Sequence, residues 1–264
     1  TKRMYREEPP STKELKSCFI DNNEANTPGD MLDCVARMII SIENPRDTVR
    51  IALEFLGRSL NVCRADAGFA TPTDIQYSPI SEFINKELKS PTLENFIISN
   101  QHASMQKVWQ ESHPVKYEDI EHNPELEGVR SPLTEIKCKS MLMQRLVWDG
   151  EPIGISCVDH TTHNHIWTDE EVDFMHHFCT TFFAPLAGIS NYWHNPTLHQ
   201  MFKKPSKSEL EAIELAAKGM SYKQIADQLG KSVRTIDNQL RTARERLNVS
   251  NQVELIRKCA PWLG

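Results

Sequence analysis

Several features that define other protein classes are missing from this sequence of 264 residues. No apolar run approaches the roughly 20 residues that a membrane-spanning helix needs, and residues 1–16 are too charged for a secretory signal peptide. The seven cysteines form no C-x-x-C pair, which argues against a disulfide framework and against a zinc finger. We therefore expect a cytoplasmic protein that has no membrane partner and keeps its thiols reduced.

Motifs for phosphate binding and nucleophilic catalysis are also absent. No G-x-G-x-x-G or G-K-[ST] loop offers a cradle for phosphate groups, and no nucleophile is flanked by a recognisable base and oxyanion donor. The alternating β/α pattern and clustered acidic residues of a phosphoreceiver are missing too. The sequence therefore predicts that the protein is not an enzyme and is controlled by a ligand, not by phosphorylation.

Charge is divided unevenly along the chain. The net charge is −6, yet residues 203–264 contain twelve Lys and Arg against seven Asp and Glu, so this stretch carries +5 and the remainder −11. This division indicates a small module that seeks an anionic partner, joined to an acidic module. Chance clustering of solvated charges explains the charge division equally well when it is taken alone.

The basic stretch has the local signals of four short helices between residues 208 and 259. Gly219 is placed to take a left-handed cap after the first helix, and Ser221 with Gln224 forms a capping box for the second. A third helix is predicted to start at Ser232. Its inward stripe consists of Val233, Ile236, Leu240, Ala243 and Leu247.

The outer face of the third predicted helix indicates the function. Arg234, Asn238 and Arg241 recur at helical spacing and project together, and Arg and Asn are the side chains that read guanine and adenine in the major groove. Neighbouring donors suit phosphate oxygens. The predicted DNA contacts are Ser221, Tyr222, Lys223, Arg234, Thr235, Asn238, Gln239, Arg241 and Arg244. A basic helix surface with no partner is the alternative that each residue taken singly favours.

Residues 205–251 resemble the LuxR/NarL (GerE-type) helix-turn-helix over their whole length. The residues that carry the resemblance are Glu209, Ala217, Gly219, Ser221, Ile225, Ala226, Leu229, Ser232, Thr235 and the run 247–249. The resemblance implies that residues 232–247 enter the major groove and that residues 250–259 pair two protomers. Asp237 stands where the family usually has a Lys that faces DNA, which implies an unusual target sequence or lower affinity.

The acidic stretch predicts a mixture of helices and strands. Residues 1–29 are polar and contain prolines, so we interpret them as a flexible or accessory arm. Helical stripes follow at 31–42 and 49–60. Asp149-Gly150 predicts a tight hairpin between two apolar runs, and earlier strand candidates are 67–70 and 115–117. This order favours an α+β fold with an antiparallel sheet and flanking helices.

A long final helix is predicted after Thr168, which forms a capping box with Glu171. Pro185 should kink this helix. Its apolar residues fit a dimer seam and a core helix equally well, and they are Val172, Met175, Cys179, Phe182, Leu186, Ile189 and Trp193.

The segments HPVKYEDI from His113, LMQRLVWDGEPIGISCV from Leu142 and WTDEEVDFM from Trp167 make residues 31–193 resemble a GAF domain. The resemblance implies a cytosolic sensor that dimerises and encloses a small effector, in a pocket that the sequence does not locate. The W-x-x-x-Y and Y-x-x-x-D-P patterns of the related autoinducer-binding domains are absent. An acyl-homoserine lactone is therefore not the expected effector.

One cluster has residue types and spacing that suit a metal, namely Cys157, His160, His163 and His165, together with Asp159. It falls in a predicted loop between the last strand and the final helix, where exposed histidines are common. We therefore expect no metal and no cofactor other than an effector of unknown identity.

These observations predict a homodimeric, ligand-responsive transcription regulator that binds double-stranded DNA and, if it is an activator, RNA polymerase. The predicted layout is an arm (1–29), a GAF-like ligand-sensing and dimerisation domain (30–195), a linker (196–202) and a four-helix DNA-binding domain (203–264). Two alternatives stay open: a regulator that senses redox state through a metal or haem, and a protein-interaction module built on the helical domain.

Overall fold

The computed structural model describes residues 9–194, 205–247, 249–260 and 263. The chain divides into two compact units, Thr1–His194 and Asn195–Gly264. The predicted linker at 196–202 and the start of the predicted arm lie outside the described residues. No helix in the described part of the chain has the length and apolar character that crossing a bilayer would require.

Helices make up much of the first unit. They are α1 (Thr12–Lys16), α2 (Gly29–Ile40), α3 (Pro45–Ser59), α4 (Ala103–Gln110), α5 (Arg130–Glu135), α6 (Asp169–Phe178) and α7 (Ala184–His194). A π-helical turn at Ser17–Asp21 follows α1, a second at Cys179–Phe183 joins α6 to α7, and a 3-10 turn at Pro124–Val129 precedes α5. Helix α1 lies within the predicted arm, where the buried side chain of Leu15 anchors it.

A sheet crosses the middle of the first unit. Its strands and those of a small ribbon are β1 (Arg64–Phe69), β2 (Gln76–Tyr77), β3 (Ser81–Ile84), β4 (Ile98–Ser99), β5 (Val115–Tyr117), β6 (Ser140–Trp148) and β7 (Glu151–His160). Five strands form an antiparallel sheet in the order β3-β1-β7-β6-β5, and β2 pairs with β4. The predicted α+β class is confirmed.

The hairpin between β6 and β7 is confirmed at the predicted dipeptide. Asp149 has φ of 53° and Gly150 has φ of 80°, and positive φ at both central residues is what a tight turn of matching twist requires. The predicted strand at 115–117 is also confirmed, as β5. The candidate at 67–70 covers only the second half of β1. The charged residues Arg64 and Asp66 interrupt the apolar pattern at the start of that strand, so the sequence did not predict it.

The final helix begins at the predicted capping box, since Thr168 and Glu171 bond reciprocally. Pro185 has no backbone N–H to donate, and the helix absorbs this loss in the wider π turn that precedes it. The centre of the apolar stripe is fully buried within its own unit, at Met175, Cys179, Phe182 and Leu186. The stripe is therefore a core face, and its centre cannot form a seam between two protomers.

The second unit consists of helices α8 (Lys207–Ala217), α9 (Tyr222–Leu229), α10 (Val233–Leu247) and α11 (Gln252–Cys259) around one apolar core. Four of the five predicted inward residues of α10 are fully buried, namely Ile236, Leu240, Ala243 and Leu247. The prediction was wrong for Val233, which is 47% exposed because the first turn of α10 extends past the core.

Candidate DNA-binding surface, ligand cavity and histidine cluster

The turn between α9 and α10 is held by local bonds. Ser221 and Gln224 form the predicted capping box at the start of α9, and Gly230 ends this helix in the left-handed conformation with φ of 63°. The Ser232 hydroxyl then accepts a hydrogen bond of 3.1 Å from the Thr235 amide at the start of α10. These caps satisfy amides that the helix itself leaves unpaired, so the two helices meet through a short connection.

Helix α10 presents the three predicted base-reading side chains on one exposed face. Arg234, Asn238 and Arg241 are all exposed. Arg241 donates to Asn238 Oδ1 at 3.3 Å and to Glu245 Oε1 at 3.1 Å. Exposed pairs of this kind are worth about 1 kcal/mol or less, so the guanidinium is free to exchange them for acceptors on a ligand.

The remaining exposed residues of this region surround that face. Ser221, Lys223 and Thr235 are exposed, and so is Asp237, which lies on the same broad side of α10. The surface therefore combines several hydrogen-bond donors with the carboxylate of Asp237, the position where this sequence differs from the LuxR-type pattern.

Three of the predicted contacts bond to side chains on other helices of the unit. Gln239 is half-buried and donates to the Ser208 hydroxyl at 2.6 Å, so it ties α10 to α8. Arg244 donates to the Tyr222 hydroxyl at 3.4 Å, and that hydroxyl is 3.2 Å from Gln252 Oε1. Helical spacing gives no information on these bonds, because their partners lie on other helices.

A cavity lies on one side of the sheet in the first unit, and it holds about 40 Å³ of enclosed space, or about 510 Å³ when the solvent at its open mouth is counted. Strands β1, β6 and β7 form one wall, and α4, the 3-10 turn and α5 form the facing wall. The lining is mostly apolar: Asp66, Tyr77, Leu93, Phe96, Ile98, Ser104, Met105, Leu126, Val129, Leu133, Ile136, Cys138, Met141, Met143, Cys157 and Asp159. The cavity is thus suited to a ligand that is largely apolar.

Asp66 is the unusual member of this lining. It is only 5% exposed, and no donor among the described residues forms a hydrogen bond with its carboxyl group. Burial, and then repulsion from Asp159, raises the pKa of Asp66 well above its usual value. The shift favours the protonated carboxyl, which can donate a hydrogen bond toward the cavity.

Asp159, in contrast, has a partner. Arg64 is fully buried and forms a two-pronged ion pair with it across β1 and β7. Burial by itself lowers the pKa of Arg64, but the charge and hydrogen bonds of Asp159 raise it above its ordinary value. Asp66 was not predicted as a site residue, and Asp159 was predicted only beside the candidate metal cluster, although charged residues inside apolar strands are a signal of this kind.

The predicted metal cluster divides between the two faces of the sheet. Cys157 lines the cavity, whereas His160, three positions along the same strand, faces the other side. The inclusion of Cys157 was therefore wrong, because successive residues of a strand point to opposite faces and residues three apart do so too. His160, His163 and His165 do meet, with one ring nitrogen of each within 4.8 Å of the others. Burial, and then His165 and His163, lowers the pKa of His160 to about 4.

Different known proteins match the two units of the chain. Residues 206–259 match the family described as bacterial regulatory proteins, luxR family. A phycoerythrobilin-bound GAF domain from a cyanobacterial phytochrome is 15% identical, with a TM-score of 0.52 over 64% of this chain and 100% of that one. A phycocyanobilin-bound GAF domain, also from a cyanobacterial phytochrome, is 16% identical, with a TM-score of 0.50 over 64% of this chain and 97% of that one.

A third similar structure extends over most of the chain. SdiA of Escherichia coli is 13% identical, with a TM-score of 0.50 over 86% of this chain and 96% of that one. At these identities the likeness concerns the fold alone. No curated protein matches the sequence.

Proposed function

We propose that this protein is a dimeric transcription regulator controlled by a small effector. The proposal rests on the LuxR-type helix-turn-helix domain at residues 206–259 and the GAF-like domain that precedes it. The helix-turn-helix domain binds duplex DNA, and the GAF-like domain binds the effector. A ligand can alter DNA affinity only if it favours one of two arrangements of the dimer.

The observation that carries the DNA-binding proposal is the exposed face of α10. Arg234, Asn238 and Arg241 lie together on it, and the hydrogen bonds that Arg241 forms with Asn238 and Glu245 stay among exposed side chains of the same helix. A major groove admits one α-helix, and such a face can offer bidentate donors to guanine and adenine. Ser221, Lys223 and Thr235 are placed around it to hold phosphates.

Gln239, Tyr222 and Arg244 have a supporting part in this proposal. Their bonds to Ser208, to Gln252 and to each other keep α10 in position against the other helices. Tyr222 and Arg244 keep enough exposure to reach phosphate oxygens as well, since both are only half-buried. We leave Gln239 out of the proposed contacts because its amide already donates to Ser208.

The effector site in this proposal is the cavity that Asp66 faces. Its walls favour an apolar body, and the Asp66 carboxyl, whose raised pKa favours the protonated form, favours one hydrogen-bond acceptor on the ligand. The solved GAF domain of similar fold is described as phycoerythrobilin-bound, which supports a small-molecule role for this fold. We therefore propose an uncharged, largely apolar effector with one polar group at the Asp66 end.

Pairing of protomers is assigned to α11. Val253 on this helix is 75% exposed, while Leu255 and Cys259 are buried against the rest of the unit. An exposed valine on a helix whose opposite side is already buried is suited to a small contact between two copies. A dimer would place one α10 on each half of an inverted-repeat site.

The decisive experiment measures DNA binding by the full chain over a series of salt concentrations. Sites are first enriched from a random duplex library, and the enriched and random duplexes are then compared by fluorescence anisotropy. We expect affinity to fall steeply with salt, with a slope of about −0.9 per phosphate contact, and to stay higher for the enriched duplex.

The control is Arg58→Ala, which removes the same charge from an exposed position on α3. Binding to no duplex, or binding that Arg58→Ala reduces as much as Arg241→Ala, would contradict the proposal. In that event the helical domain is better explained as a module that docks an acidic protein.

A further inference from the structure

Three imidazole rings converge where β7 ends. His160 is the last residue of the strand, and His163 and His165 lie in the segment that leads to α6. The ring centroid of His160 lies 4.6 Å from that of His163 and 4.7 Å from that of His165. The loop thus brings three nitrogen donors from six residues of chain to within 4.8 Å of one another.

Two of the rings have one nitrogen engaged from outside the cluster. His160 Nδ1 lies 3.9 Å from Cys63 Sγ, and His163 Nδ1 lies 2.9 Å from Thr162 Oγ1. A partner on one nitrogen holds the ring in place and leaves the lone pair of the other nitrogen for a metal.

The third ring has the strongest outer partner. His165 Nε2 is 3.0 Å from both carboxylate oxygens of Glu171, which leaves Nδ1 as its second nitrogen. A carboxylate in this position increases the basicity of an imidazole ligand, and this arrangement is usual around protein-bound zinc. The same carboxylate is held by the capping box with Thr168, so its position is set by the start of α6.

An unpaired nitrogen of His160 is a second, independent indication of a ligand site. The residue is 5% exposed, and its Nε2 is buried with no hydrogen-bond partner in the described part of the chain. Since Nδ1 faces Cys63, Nε2 is the atom that remains for the space shared with the other two rings. Leaving a buried polar atom unpaired costs about 1–3 kcal/mol, a cost that a bound ligand would remove.

We propose that His160, His163 and His165 bind a divalent transition metal of the zinc type, with a fourth position open to water or a small ligand. Three imidazoles suit zinc, nickel or copper, whereas magnesium and calcium prefer oxygen donors. Zinc–nitrogen bonds of about 2.1 Å in a tetrahedral site need donors roughly 3.4 Å apart. Closing from the present separation needs only a small shift of the exposed His163 and the half-buried His165.

The site is separate from the proposed DNA contacts and from the effector cavity, so its test needs neither. It adjoins the cavity through one strand, because Asp159, the neighbour of His160, faces the opposite side of the sheet. A metal at His160 would therefore hold the end of the strand that carries the buried ion pair.

The test uses the full chain after removal of metal by a chelator. Zinc binding is measured by isothermal titration, and the bound zinc is counted by mass spectrometry after dialysis. We expect one zinc per chain, and we expect no binding of magnesium. The double variant His163→Ala/His165→Ala should lose more than the roughly 10- to 100-fold in affinity that removal of an outer partner costs.

Two further variants separate ligation from other causes. Glu171→Gln keeps an acceptor for the capping box but loses the charge that faces His165, so zinc affinity should fall roughly 10- to 100-fold without loss of fold. Cobalt should give the visible absorption of low-symmetry coordination in the native chain but not in His163→Ala/His165→Ala. Copper should quench the fluorescence of Trp167, whose ring centroid lies 4.7 Å from that of His165, and this quenching should disappear in Trp167→Phe.

The matched control is His122→Ala, an exposed histidine paired with Asp119, which should bind zinc as the native chain does. His113 and His176 stack with centroids 4.3 Å apart and are the competing site. Zinc binding that survives His163→Ala/His165→Ala and disappears in His113→Ala overturns the proposal, and so does the absence of zinc binding by the native chain.

Discussion

Arg64 and Asp159 form a buried ion pair between directly opposed positions of β1 and β7, 95 residues apart in sequence. The remaining donors of Arg64 reach the backbone carbonyls of Pro91 at 2.9 Å and Ile136 at 3.1 Å. The pair therefore joins the sheet to the two segments that border the cavity. Its charges are paired and hydrogen-bonded, which is the condition under which charges are tolerated inside a protein.

Asp159→Asn should strongly destabilise the GAF-like domain, because it leaves the guanidinium of Arg64 buried without a counter-charge. We expect the free energy of unfolding to fall by about 3–5 kcal/mol, measured by urea denaturation of the full chain. The control is Asp47→Asn, which removes an exposed pair with Arg50 and should cost about 1 kcal/mol or less. Equal losses in the two variants would mean that the buried pair has no special role.

Asp66→Asn should stabilise the domain at neutral pH and flatten its pH dependence. The folded protein holds the Asp66 proton more tightly than the unfolded chain, because burial and Asp159 raise the pKa of this carboxyl. Its contribution is fully present below the unfolded pKa of about 4 and is lost as pH rises toward the folded pKa, at about 1.4 kcal/mol per unit of separation.

The measurement is the free energy of unfolding at several pH values between 4 and 8, with the exposed Asp33→Asn as control. Asp159, Arg64 and Glu82 are the charged groups that act on Asp66, and all are kept in both variants. If native chain and Asp66→Asn lose stability in parallel as pH rises, the cavity carboxyl is not protonated.

Arg234→Ala and Arg241→Ala should each weaken binding to an enriched duplex by about 1–3 kcal/mol and relax sequence preference at one position. The physical reason is the loss of two parallel hydrogen bonds to one base. Anisotropy titrations of single-base variants of the duplex measure both effects. A uniform loss over all duplexes would assign these residues to phosphates instead.

Asp237→Lys should strengthen non-specific DNA binding. The change adds two positive charges to the exposed side of α10, so the slope of affinity against salt should steepen by roughly 1–2 per protomer. Binding to a random duplex over a salt series is the measurement. An unchanged slope would place the Asp237 side chain away from the phosphates.

Val253→Glu should weaken dimerisation and, through it, affinity for an inverted-repeat site. Val253 is 75% exposed in the single chain, so the charge should leave the helical domain folded and disturb only a contact between protomers. Light scattering over a dilution series reports the oligomeric state, and circular dichroism checks the fold. A stable dimer in Val253→Glu would exclude this face of α11 as the interface.

Prediction from sequence was most accurate where neighbours along the chain decide the structure. The capping boxes at Ser221 and Thr168 and the turn at Asp149-Gly150 each depend on a few adjacent residues, and each is confirmed. The stripe in the final helix shows the limit of such reasoning, since helical spacing identifies an apolar face but not the surface that covers it.

Local chemistry by itself thus determined the helices of the helix-turn-helix domain, the main hairpin and the face that Arg234, Asn238 and Arg241 share, because caps, glycine turns and side-chain periodicity act over one or two turns of backbone. Only the tertiary structure decided that Gln239 turns to Ser208, that Cys157 and His160 lie on opposite sides of a sheet, and that Asp66 faces a cavity. Those outcomes depend on which distant segments pack together. The burial of these side chains is set only when the helices pack against the sheet and against each other.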